Sequence, residues 1–139
     1  MRISALGEYL ETILEELNDK YLRINADFLG LEINNYSLDK IPTASVVETD
    51  VLGNRTCRDV YSFRSRNAYS SDRLNNLKNI GFFEEFQEKI NSNNDEGILP
   101  EIKGITSIQC LNQGTLNHVD QSMKTAVFDI QIEIIYEEE

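Results

Sequence analysis

The chain holds a single histidine, His118, so a nucleophile–base pair built on imidazole has one possible base. His118 lies in Leu116-Asn117-His118-Val119-Asp120, a polar stretch that reads as a loop. No G-x-S-x-G elbow precedes a helical pattern, which leaves a hydrolase nucleophile without its strained turn. There is no Walker lysine loop and no G-x-G-x-x-G to set backbone amides against a phosphate. Zinc needs paired His or Cys at short spacing, and Cys57 and Cys110 stand far apart in sequence. These two cysteines read as reduced core thiols, with one disulfide between them as the alternative. Asn91, Asn93 and Asp95 resemble the first ligands of a calcium loop. Gly97 comes one place late, however, and no glutamate fills the terminal bidentate position. An exposed turn describes this stretch better. The reading is of a protein that is not an enzyme, with no cofactor and no metal.

With 139 residues, 40% hydrophobic and 27% charged, the chain has the composition of one soluble globular domain, 1–139. Its apolar runs are far shorter than the ~20 residues of a membrane helix. The start, Met1-Arg2-Ile3-Ser4-Ala5, shows no secretory signal, so the product is expected to stay in the cell that makes it. A net charge of -11 opposes both nucleic acid and anionic membranes. The charge is also segregated. From Arg55 to Lys78 there are six cations and two anions, a window of +4 that leaves -15 for the rest. These arginines are either solvated strand and loop residues or a basic patch facing an acidic patch on another chain.

Ile3, Leu6, Leu10, Ile13, Leu14, Leu17 and Tyr21 recur at helical spacing, opposite Glu8, Glu11, Glu15, Glu16 and Asp19. This predicts an amphipathic helix over 3–21 with Ser4 as a simple N-cap. Leu22 to Phe28 alternates as a strand, and 34–37 and 40–42 read as loop. Ala44–Val51 and Arg55–Arg66 predict a hairpin about Leu52-Gly53-Asn54. A two-residue loop would place Glu48 opposite Asp59, a like-charge pair. The register shifted by one, with Glu48 against Arg58 and Val46 against Val60, is preferred. Leu74, Leu77 and Ile80 predict a second helix stopped by Gly81, and Phe83, Phe86 and Ile90 a third. Residues 91–97 read as a loop and 105–111 as a strand. Residues 112–123 read as a polar connection, and 125–136 as a strand with Ala126, Phe128, Ile130, Ile132, Ile134 and Tyr136 on one face. The whole predicts a single α+β domain, a largely antiparallel sheet with helices packed on one face. Its edges would be paired between copies in an oligomer, or blunted in a monomer by charges such as Arg64, Arg66 and Glu137.

Four stretches taken in order carry a resemblance. They are Asn35-Tyr36-Ser37-Leu38-Asp39 with Pro42; Tyr61-Ser62-Phe63-Arg64-Ser65-Arg66 with Tyr69-Ser70 and Asp72; Gly81-Phe82-Phe83-Glu84-Glu85-Phe86 with Gly97-Ile98-Leu99-Pro100; and Ile108 to Leu116 with Asp120 and Ala126 to Tyr136. Together they resemble the tail terminator (tail completion) proteins, often called minor capsid proteins, of Gram-positive phages, prophages and phage-tail-like bacteriocins. The resemblance spans nearly the whole chain. It implies a tail-terminator-like domain that forms a homo-oligomer, a hexameric ring on the last ring of tail tube protein. Such a ring ends tube polymerisation and offers the head-tail joining surface to a head connector or a cap protein. It also touches the sheath protein where the tail contracts. The resemblance places the protein in the virion or phage-tail-like particle, at the head-proximal end of the tail, and in the bacterial host cytoplasm during assembly. On this reading the hairpin 44–66 and the connection 112–124 make the contacts. The expected protein-interface residues are Arg55, Arg58, Arg64, Arg66, Glu48, Asp50, His118 and Asp120. Replacing Arg64 and Arg66 by Glu is expected to spare the fold and abolish assembly. The alternatives are a head–tail connector or minor capsid component, and a small intracellular regulatory or ligand-binding α+β domain.

Overall fold

The computed structural model describes residues 2–18, 24–26, 29, 35–42, 46–68, 73–112, 114–120 and 125–138. At 18, 26, 68, 73–80, 115, 117, 118 and 120 only the backbone is described. Helix α1 (Arg2–Asn18) comes first, followed by strands β1 (Ile24–Ala26), β2 (Asn35–Ile41), β3 (Val46–Thr49) and β4 (Arg55–Ala68). Helix α2 (Arg73–Glu96) then leads to β5 (Ile105–Cys110), β6 (Thr115–Asp120) and β7 (Thr125–Glu138). The result is a single α+β domain, as the sequence predicts.

The two fourteen-residue strands β4 and β7 pair antiparallel without a break, from Arg55 opposite Glu138 to Ala68 opposite Thr125. On the outer side of β4, β2 and β3 lie end to end. Ile41 is opposite Val60 and Val46 is opposite Cys57. On the outer side of β7, β5 and β6 do the same. Short β1 completes the order β1-β2-β4-β7-β5 and is the one parallel neighbour among the described strands.

Alternation along the central pair sorts side chains by face. Cys57, Tyr61 and Phe63 of β4 lie on the same side as Ala126, Phe128, Ile130, Ile132, Ile134 and Tyr136 of β7. All of these belong to one core with Leu6, Leu10, Ile13 and Leu14 of α1 and Phe83, Phe86 and Ile90 of α2. Both helices therefore cover the same face. Tyr36, Phe63 and Phe86 stack in sequence, with centroids 5.7 and 5.0 Å apart, and so join β2 to β4 to α2. Glu16 and Lys89 pair at 3.0 Å between the helices. Among the described residues no helix is long and apolar enough to cross a membrane.

The structure corrects several expectations. α1 begins at Arg2, so Ser4 sits inside its first turn rather than capping it. The predicted loops 34–37 and 40–42 fall largely in β2, whose Tyr36, Ser37 and Leu38 are buried between β1 and β4. The two predicted helices are one. Gly81 continues the helix, and the left-handed stop comes at Gly97 (φ 76°). There the amide of Ile98 donates to Asn93 O at 2.8 Å and that of Gly97 to Asn94 O at 3.3 Å, closing the last turn. Residues 91–96 are helical rather than loop because tertiary bonds override weak propensity. Asn93 is buried, and Asn94 Oδ1 accepts the Ile108 amide at 3.0 Å. Half of the predicted connection 112–123 is strand β6, whose alternation is interrupted by a register shift between Leu116 and His118. Residues 19–21, 22–23 and 27–28 of the predicted first helix and strand lie outside the described residues.

Gly81 has open space where a Cβ would stand, and its backbone is ordinary helix. Gly81→Ala is expected to raise stability by about 0.5–1 kcal/mol. Gly97→Ala, at positive φ, is expected to lower it by about 1 kcal/mol. Urea unfolding of the two variants should move in opposite directions.

Candidate functional site

The arginine run of β4 divides by parity. Arg58, Arg64 and Arg66 share the face opposite the helices with Val60 and Ser62, and each meets a polar partner in its own chain. Arg64 Nε lies 2.6 Å from Asp39 Oδ2, and Ser37 Oγ donates to Asp39 Oδ1 at 2.8 Å. Arg58 pairs with Glu133, whose other oxygen accepts from Gln109 Nε2 at 2.7 Å. Ser62 Oγ donates to Asp129 Oδ1 at 2.8 Å. Arg66 is 8% exposed and donates from Nη1 to Thr125 Oγ1 at 3.2 Å. On the helix face Arg55 Nη2 stands 3.5 Å from Glu138 Oε2. Of the cations in the +4 window, Arg55, Arg58 and Arg64 are thus paired with carboxylates of β2 and β7 in their own chain.

On the helix face, β4 buries a carboxylate. Asp59 is 0% exposed. It accepts from Arg2 Nε at 2.9 Å and from the hydroxyls of Tyr61 and Tyr136 at 3.3 Å each, with Lys40 Nζ at 3.8 Å. The Arg2 guanidinium also lies 4.6 Å from the centroid of the Tyr136 ring. The first residue of α1 is thereby tied to the middle of the sheet. Burial, reinforced by Asp59, pushes the Tyr136 hydroxyl up to about 12 and raises that of Tyr61 as well. Sequence reading passed over this cluster because it counted apolar positions. A lone Asp at helix-face parity between Cys57 and Tyr61 was the available signal.

Beyond the helices the β3–β4 hairpin projects. Its turn runs from Asp50 to Asn54. The Asp50 amide donates to Asn54 O at 2.9 Å, and Gly53 (φ 87°) donates to Asp50 O at 3.2 Å. Asp50 Oδ1 accepts from the amides of Leu52 and Asn54 at 2.8 and 3.0 Å, so Asp50 shapes the turn. This five-residue turn replaces the preferred register. Glu48 faces Thr56 and Val46 faces Cys57, with a shift between them. The arm exposes apolar side chains: Val46 41%, Val47 54%, Leu52 84% and Val51 fully. At its base an open cleft of about 790 Å³ is lined by residues including Glu48, Arg55, Arg2, Lys103 and Glu137.

The eight residues expected at an interface are thus spread along the whole length of the β4–β7 ladder. Glu48, Asp50 and Arg55 stand at the hairpin end. Arg66 shares a row with Val127 and His118 at the other end, and Asp120 lies in the row of Thr125. Arg58 and Arg64 lie between. His118 belongs to a strand, not the loop predicted for it. Cys57 and Cys110 are free thiols, the first buried in the core. Among the described residues no group of His, Cys, Asp or Glu is placed to hold a metal ion. No protein-family model matches the chain, and no curated protein matches it.

Two outcomes are expected. Arg2→Ala should cost about 2–3 kcal/mol, because it strands a carboxylate that cannot reach water, and adding Asp59→Asn should return part of that loss. A double variant less stable than the single would contradict this. Burial also lifts Tyr36 to about 12, as for Tyr136, and Cys110 from 9.0 to about 12. The unfolded chain releases these protons first, so their contribution is complete at lower pH and lost as pH rises towards 12. The urea midpoint should fall steadily between about pH 9 and about pH 12 as tyrosinate absorbance appears.

Proposed function

We propose that this protein is a structural subunit that caps a phage-type tail tube. It assembles as an oligomeric ring that ends tube growth and forms the surface for a head connector or cap protein. The observation that carries the reading is the apolar arm. A polyanionic domain places Val46 and Val47 of β3, and Val51 and Leu52 of the hydrogen-bonded turn, in water. Clustered exposed apolar residues on a defined scaffold mark a surface that another chain covers. The resemblance noted in the sequence supplies the identity of the assembly. The partners are further copies of this chain, the tail tube protein, and the sheath protein in a contractile tail.

The internal pairing of Arg64 and the burial of Arg66 change which substitution tests this. Glu at those positions would set a carboxylate beside Asp39 and bury another, so the double replacement would report on folding. The hairpin tip avoids that difficulty. The wild-type protein, added to polymerising tube protein, should arrest elongation and appear at one end of each tube by electron microscopy. Val51→Asp with Leu52→Asp should keep the circular dichroism spectrum and lose the arrest. Tubes that grow unchecked with the wild type, together with retention on immobilised portal protein, would favour the head–tail connector reading instead.

A further inference from the structure

Copies of a chain with net charge -11 repel one another, so they approach most easily where charge is absent. No Asp, Glu, Lys or Arg stands between Lys103 and Asp120, although 27% of the chain is charged. That stretch holds β5 and all of β6 but its last residue, end to end along β7. No described strand pairs with either on the far side. Soluble proteins blunt such an edge with charge, proline or a covering element. Here the covering is partial. Asn94 of α2 occupies the Ile108 amide, while further along Leu111 and Leu116 are 40% and 45% exposed. The opening therefore runs from Cys110 to Val119.

The opposite side of the same sheet holds its counterpart. β3 pairs with β4 alone among the described strands, all four of its residues are exposed, and it carries Val46 and Val47 with a single charge, Glu48. We infer that this open edge, from Cys110 and Leu111 on along β6 to Val119, receives strand β3 of a second copy, which brings Val46 and Val47 against its apolar side chains. Each copy gives one edge and takes the other, so the contact is heterologous and repeats from copy to copy until it closes into a ring. The strand–strand bonds supply affinity, and the uncharged side chains select this approach over charged ones. This rests on the reading of the chain as an assembly subunit and names the contact that subunit uses.

The test is complementation between two full-length variants followed by sedimentation velocity. Val47→Lys places a charge on the giving edge, and Leu116→Lys places one on the receiving edge. The wild type should form species larger than a dimer. Each variant alone should sediment as a monomer with an unchanged circular dichroism spectrum. An equal mixture should give a dimer and nothing larger, since one good edge of each kind remains. A mixture that stays monomeric, a variant that still forms the wild-type species, or a wild type that stays monomeric would overturn the inference. Val46→Lys with Leu111→Lys repeats the test should either first variant fail to fold. The tube assay separates the two levels. If both single variants arrest tubes as well as the wild type does, the edge pairing is wrong while the capping function stands. If the mixture dimerises but the wild type arrests no tube, the pairing stands and the capping function is wrong.

Discussion

The unbroken pairing of β4 with β7 is the constraint from which the rest of the molecule follows. Fourteen consecutive partners leave no freedom of register, because a slip by one residue would turn Phe63, Ile130 and Ile132 to the polar side. The ladder fixes which face collects the helices, and that face of β7 is buried from Ala126 to Tyr136. It also explains why the other strands come in collinear pairs. β2 with β3, and β5 with β6, are short pieces laid along two long templates, and the breaks between them are where the edges open.

Asp59 shows how the ladder and the helices are joined. A buried carboxylate in the sheet holds the first residue of α1 across 57 positions of sequence, through a guanidinium that also rests on Tyr136. Such a bond is worth little as net stability, since the carboxylate gives up all of its water to make it. Its value is positional: α1 has an apolar stripe that could slide along the sheet, and Arg2 selects one setting. The stack Tyr36–Phe63–Phe86 plays the same part for α2, through shape rather than charge.

The elements legible in the sequence are those whose burial follows a single period. α1 and β7 are of this kind: Leu6, Leu10, Ile13 and Leu14, and the alternate positions from Ala126 to Tyr136, lie in the core, with Ile3 and Leu17 partly buried against it. β2 was hidden because a strand bonded on both sides can bury Ser37 as readily as Leu38. β6 was hidden by the shift at Leu116, and the length of α2 by Gly81 and by asparagines whose partners lie on β5 and α1. The arginine run was legible as charge but not as a site. Its carboxylates come from β2 and β7, the latter some 75 residues away in the case of Glu133, and sequence distance carries no sign of such a match. The two cysteines, read as core thiols, are free in the fold.

The same arithmetic of charge bears on how the protein meets others. When a sheet neutralises its own cations, electrostatic attraction between copies weakens, and what remains at long range is repulsion set by -11. In the proposed assembly specificity then arises by subtraction: like-charged surfaces repel, and the edge from Cys110 along β6 to Val119, free of Asp, Glu, Lys and Arg, is left to meet Val46 and Val47 of β3, a strand whose one charge is Glu48. A pair of chains makes that contact once, and there the short strand and its apolar side chains alone offset the entropy of association. In a closed ring each copy makes the contact twice, and breaking the ring requires losing two contacts at once. Assembly governed this way is cooperative. Under the proposed function, a template such as the end of a tube adds to this by holding several copies side by side.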